Sequence, residues 1–199
     1  LTCVVLLPLL LSLWTSFTPF KLTKPDTLYR FVGFRNYERL IGDLDFWIAF
    51  GRTVLFLAIA LNLELVFGLG IALLINKITY GQRTLRTLMM FPMMFSPILV
   101  GFQWKYIFND NIGLMNNFLR EFGVIQPIPW LVDGILANVS IMAAEIWSST
   151  SVFAILLLAG LLGIPKDPIE AAKVDGCNSW QVFKNITLPF LMPFVFIAM

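Results

Sequence analysis

The chain has 199 residues, of which 58% are hydrophobic and 13% charged, with a mean hydropathy of +0.82. Soluble domains are about half apolar and a quarter charged, so this composition excludes an ordinary soluble globule. A net charge of +2 with no Lys/Arg cluster interleaved with aromatics gives nucleic acid no footprint. The absence of histidine removes the commonest general base and most transition-metal sites.

Uncharged stretches cover 1–20, 53–63, 65–76, 87–104, 134–144, 146–165 and 185–199. Joined across the single carboxylates Glu64 and Glu145, they make five membrane segments. A helix needs about 20 apolar residues to cross roughly 30 Å of hydrocarbon, and backbone polar groups in lipid must be satisfied within the segment. The predicted fold class is therefore all-α, a polytopic transmembrane helical bundle. Its predicted order is span 1 (1–17), loop (18–46), span 2 (47–76), loop (77–86), span 3 (87–107), loop (108–133), span 4 (134–163), loop (164–186) and the start of span 5. Both ends fall inside apolar runs, so the sequence reads as a fragment, 1–199, incomplete at either end. Further spans follow the first, which argues against a signal peptide. Cys3 lies in that first span and Cys177 in a distant polar loop, so no disulfide and no metal site is expected.

In span 2 the i±4 row around Glu64 reads Ala60, Glu64, Gly68, Ala72. Small residues in such a row let another helix approach, which turns the carboxylate toward the bundle interior. Glu64 is either a gate or path residue or a packing glutamate. Pro92 and Pro97 interrupt span 3, each removing a helix hydrogen bond and inviting a kink. Trp104, Tyr106 and Trp130 read as interfacial aromatics and Lys105 as a snorkelling side chain. In span 4, Glu145, Ser148 and Ser149 recur at i, i+3 and i+4 and make a polar face, with Trp147 in the same turn. Carboxylates, hydroxyls and aromatic faces are the groups that hold sugars. The competing reading has the serines bonding their own helix backbone.

The loop from Asp167 to Pro189 is the most patterned. Asp167 is a candidate cap, with Pro168 at the first helical position and Glu170 completing a capping box. Gly176 is placed to end that helix in the left-handed conformation. Ser179 can cap a second helix carrying Trp180, Phe183 and Ile186, and Pro189 helps start the next span. Small Ala171 and Ala172 beside Glu170 leave room for another protein. Orientation by positive charge is a tie, because the loops after spans 2 and 4 hold six Lys/Arg and so do those after spans 1 and 3. The density of Lys77, Arg83 and Arg86 favours the short second loop as cytoplasmic.

Glu170-Ala171-Ala172, then Asp175-Gly176, then Ile186, Leu188 and Pro189 resemble the "EAA" signature of binding-protein-dependent ABC importer permeases. Phe31-Val-Gly-Phe-Arg-Asn-Tyr37 and the acidic-x-Trp pattern of Glu145 and Trp147 are similar to features of the carbohydrate-uptake subfamily, in its maltose and glycerol-3-phosphate permease type. Phe91-Pro92, Ser96-Pro97, Gly101, Trp104, Leu158-Ala-Gly-Leu161 and Ile164-Pro165 fit as well. Cys177 departs from the usual alanine, and Gly163 from a common polar residue. The resemblance implies the ABC type-1 permease fold, commonly of six spans, with 165–189 as a cytoplasmic coupling loop. It implies a multi-pass protein of a prokaryotic cytoplasmic membrane, importing a sugar or sugar derivative. Its partners would be a second permease subunit, two ATP-binding subunits and an extracytoplasmic solute-binding protein.

The chain lacks the Gly-x4-Gly-Lys-Ser/Thr phosphate loop, so it is not read as an enzyme. ATP and Mg would be used by the partners, with no cofactor bound here. Two alternatives carry different tests. An ion-coupled carrier would use Glu64 or Glu145 and need no ATPase subunit; an ABC permease could also serve a non-sugar solute. An intramembrane hydrolase lacks its H-E-x-x-H or G-x-S-x-G motif.

Overall fold

The computed structural model describes residues 2–21 and 23–199, without the side chains of Thr2, Cys3 and Pro25. The expectation about Cys3 therefore lies outside the described residues. The chain divides into two compact units, one ending at Leu55 and the other Phe56–Met199.

The first unit begins with α1 (Thr2–Ser16), an apolar helix that ends where polar groups can take over its last carbonyls. The Asn36 amide donates to the Ser16 and Thr18 carbonyls at 2.9 Å each, and the Tyr37 hydroxyl donates to Ser16 Oγ at 2.7 Å. Phe17 sits among the rings of Phe31, Phe34 and Tyr37, with centroids 5.4–6.1 Å away. The 31–37 stretch is thus a clamp folded back on the end of α1. It turns at Gly33, whose φ of +61° suits a residue without Cβ. Its last three residues open α2 (Arg35–Ile41). Asp43 Oδ1 then accepts the Asp45 and Phe46 N–H groups and starts α3 (Leu44–Lys77).

At 34 residues, α3 is about 51 Å long and runs on into the second unit. There its buried residues are Ala60, Glu64, Gly68, Ala72 and Ile75. The i±4 row expected from the sequence is the packed row. A Cβ on Gly68 would lie 2.6 Å from Phe153 Cβ, so the absent side chain sets how closely α3 and α8 (below) approach.

The segment expected as one kinked third span is broken. After a turn at Gly81, α4 (Gln82–Met89) and α5 (Phe91–Met94) run to Phe95 and Ser96, whose backbones are extended, and α6 (Pro97–Ile107) leaves at 88°. Proline disfavours helical geometry in the residue before it and offers no N–H to the carbonyl four residues back. Pro97 imposes both, on Ser96 and on Met93. The helix also begins five residues earlier than expected, inside the predicted loop.

The 108–133 loop holds a further helix, α7 (Leu114–Glu121). Its Asn116, 2% exposed, donates to the Asp110 and Ile128 carbonyls and accepts from the Ile128 N–H and Trp130 Nε1. One amide satisfies both strands of the loop. Asp133 then caps α8 (Gly134–Leu162) by accepting from the Ile135 and Leu136 N–H groups.

Among the described residues, three helices are long and apolar enough to cross a membrane: Leu44–Lys77, Gly134–Leu162 and Ser179–Ala198. The bent pair makes a fourth if its two helices count as one span, while α1, at 15 residues, is shorter than a full crossing. Ala72, Ile75, Leu157, Leu158, Leu161 and Leu191 form the buried core of the second unit.

Candidate functional site

The patterned loop folds into α9 (Lys166–Val174), which starts earlier than predicted. Pro165, with extended backbone, occupies the cap, and no side chain caps the helix. Pro168 does not force a later start, because the first-turn N–H groups have no helical partner to lose. Asp167 stays in the first turn, where its charge favours the positive helix end. The expected capping box of Asp167 and Glu170 is therefore absent.

The C-terminus is as expected. Gly176 has φ +80°, its N–H bonds the Lys173 carbonyl at 3.1 Å, and the Cys177 N–H reaches back to Ala172 at 2.9 Å. That pair is a Schellman motif, which only a residue free to turn left-handed makes without strain. Glu170, Ala171, Val174 and Asp175 are exposed along one side of α9, while Ile169 and Ala172 are half-buried.

The next helix, α10 (Ser179–Val182), is capped by Asn178 rather than Ser179. Asn178 accepts from the Gln181 N–H, and the Gln181 side chain accepts from the Asn178 N–H, a complete capping box. A π-helical turn (Phe183–Thr187) then leads directly into α11 (Leu188–Ala198). The turn falls where the Pro189 ring would otherwise press on the Asn185 carbonyl, and it widens the helix there. Its extra residue also changes the buried face. Val182, Thr187 and Leu191 are inside, whereas Trp180, expected on the apolar face, is 67% exposed. Ile186 and Leu188 are half-buried and Pro189 is exposed.

Beyond this loop, the break in the third span faces the polar side of α8. Glu145, Ser148 and Ser149 line a cavity of about 420 Å³ together with Pro92, Met93, Phe95, Pro97 and Gly101. Ser149 Oγ donates to Glu145 Oε1 at 2.9 Å and holds the carboxylate in place. Ser148 Oγ donates to the Glu145 backbone carbonyl at 3.2 Å, the self-bonding use of a helical serine. Irregular backbone at membrane depth is tolerated where it borders a cavity, and here Phe95 does so.

Trp147 does not join that patch. It lies about 200° around α8 from Glu145 and lines a separate, mostly apolar cavity of about 550 Å³ with Phe67, Gly70, Thr150 and Ser151. Its ring contacts Phe95 and Trp104, with centroids 6.4 and 6.1 Å away. Glu64 is 3% exposed within the packed row and lines neither cavity. Sequence reasoning passed over Thr150 and Ser151, both buried, although they continue the Ser148-Ser149 run; Thr150 Oγ1 has no partner among the described residues.

Residues 64–199 match the family described as "binding-protein-dependent transport system inner membrane component". The chain belongs to this family. Curated members similar to it include the trehalose/maltose transport system permease protein MalF of Thermococcus litoralis, 36% identical over 98% of this chain and 65% of that protein. The probable ABC transporter permease protein y4oQ of Sinorhizobium fredii is 35% identical over 96% of this chain and 61% of that protein. The chain therefore spans just under two thirds of the length of those relatives. A solved bacterial ABC transporter that imports the polysaccharide alginate superposes with a TM-score of 0.80 over 98% of this chain and 65% of that one, at 22% identity, and shows the shared type-1 permease fold. With its apolar helices, this family member is a multi-pass membrane protein.

Proposed function

We propose that this permease chain is one transmembrane subunit of an ATP-driven importer in the cytoplasmic membrane of a prokaryote, and that it translocates a sugar or sugar derivative. Support for the coupling role comes above all from α9. Its Schellman end fixes a short helix outside the spans, and Glu170, Ala171 and Asp175 stand exposed on it. That side meets a separate ATP-binding subunit, and a second such pair with a second permease completes the transporter. An extracytoplasmic solute-binding protein delivers the substrate. Ala172, Gly176, Ile186, Leu188 and Pro189 keep the loop in shape.

Sugar as cargo is supported by relatives named for trehalose and maltose and by the Glu145, Ser148 and Ser149 cavity, which offers hydrogen-bonding groups inside the bilayer. In the alternating-access cycle, ATP closes the partner subunits, α9 carries the movement into the attached spans, and the cavity changes the side to which it opens.

The test uses the full-length protein with its partners. Ala171→Trp changes only an exposed position, so folding is expected to be retained while substrate-stimulated ATPase activity falls at least tenfold. Gly176→Val, strained at positive φ by about 1–2 kcal/mol, lowers both assembly and coupling. Unchanged ATPase activity in both variants sinks the coupling role, and uptake without any ATPase subunit supports the ion-coupled carrier instead.

A further inference from the structure

A groove of about 430 Å³ lies behind α9, between it and the ends of α3, α8 and α10. Its floor is apolar, with Leu73, Leu161, Ile164, Ile169 and Val182. Its charged lining residues are Lys77 and Lys173, and among the described residues no carboxylate lines it. Asn76, Ser179 and Thr187 add hydrogen-bonding groups. Trp180 stands at its side, 67% exposed and stacked on Phe183 at 5.6 Å. Amphipathic aromatic rings of this kind sit at headgroup level.

We propose that this groove holds an anionic phospholipid of the leaflet in which these helices end, with the headgroup between Lys77 and Lys173 and the upper acyl chain on the apolar floor. Charge complementarity selects the occupant, because the lining is cationic and apolar at once, as basic pockets at helix ends are when they take acidic lipid headgroups. A second observation separates this site from the coupling surface. Ile169 and Lys173 line the groove within about 40° of each other around α9, whereas Ala171 lies about 160° from both and Asp175 about 120–160° away, with Glu170 between the two faces. One short helix thus has a lipid behind it and free space in front. The lipid would brace α9 against the spans. The assignment of the leaflet as cytoplasmic rests on the importer reading; the lipid site itself does not.

Cys177 lines the same groove and is half-buried, which makes it a reporter. In the full-length protein, with its other cysteines replaced by serine, maleimide labelling of Cys177 is followed in nanodiscs of pure phosphatidylcholine and of phosphatidylcholine with phosphatidylglycerol. Two surface lysines favour the acidic lipid by about 30-fold and each single one by about 5-fold. Labelling is expected to slow in the phosphatidylglycerol discs, to lose that slowing in K77Q/K173Q and to keep it in K77R/K173R, which guards against a folding defect. Millimolar inorganic phosphate in phosphatidylcholine discs should leave the rate unchanged. Equal rates in the two lipids overturn the proposal, as does protection by free phosphate. Absence of labelling in every disc, with Cys177 cross-linking to a polypeptide, overturns it too, by placing protein in the groove. Loss of lipid protection with ATP-driven uptake intact refutes this site alone, and lipid protection without ATP-driven uptake refutes the importer reading alone.

Discussion

Glu64 and Glu145 are both carboxylates within helices long and apolar enough to cross a membrane, and their surroundings differ. Glu64 fills a place in a row of small residues where two helices meet, and Glu145 is exposed to a cavity and held by Ser149. Glu64→Gln keeps shape and hydrogen-bonding capacity, so uptake is expected to stay within about threefold of the parent, a cost below about 1 kcal/mol. Glu145→Gln should lower uptake at least tenfold, equivalent to about 1.4 kcal/mol, while thermal unfolding is unchanged. Radiolabelled sugar uptake in proteoliposomes checks both. The reverse ranking would make Glu64 the path residue. The burial of Glu64 was legible in the sequence, because alanines and a glycine spaced by four around a carboxylate mark the stripe on which a neighbouring helix packs. The separation of Trp147 from Glu145 was less so. Two residues of one turn are close in sequence but nearly opposed around the helix.

At the scale of elements, close approach between helices depends on what is missing. Gly68 meets Phe153, and Gly160 meets Leu191 and Phe194, each nearer than an added Cβ permits. Gly68→Leu is therefore expected to cost about 1–3 kcal/mol through overpacking and to lower the Tm in detergent. Gly70→Ala, on the same helix with open space around it, should raise stability by about 0.5–1 kcal/mol. Equal effects at the two positions would refute the α3–α8 contact. Element ends were unevenly legible. The left-handed Gly176 could be foreseen from glycine after a short helical stretch, whereas the start of α9 could not be placed, since a proline fits any of the first few positions. The π turn was hidden for a different reason: a helical period of 3.6 puts Trp180 and Thr187 on one face, and one inserted residue turns them apart, leaving Val182 inside with Thr187 and Trp180 out. Asp133 and Asn116 carried local signals, an Asx residue before an apolar run and an amide in a loop between aromatics, but only the fold shows which groups they satisfy.

For the whole molecule, positive charge is tied between the two sides, and the proposed importer role breaks the tie. In that role the loops after spans 2 and 4 are cytoplasmic and the 108–133 loop is outside. Tyr80 and Ile125 are 92% and 88% exposed, one on each side. In right-side-out vesicles, Ile125→Cys is expected to react with a membrane-impermeant maleimide and Tyr80→Cys only after permeabilisation, in a background with the native cysteines replaced. The opposite pattern would place α9 on the wrong face for an ATP-binding partner.

The broken third span leaves a polar group that no exchange of side chains removes. Because Pro97 carries no N–H, the Met93 carbonyl has no helical donor, whatever side chains surround it. Met93 borders the cavity beside Glu145. Part of the notch's affinity for water therefore resides in the peptide chain, which every residue shares. That acceptor is kept through any side-chain exchange that leaves Pro97 in place.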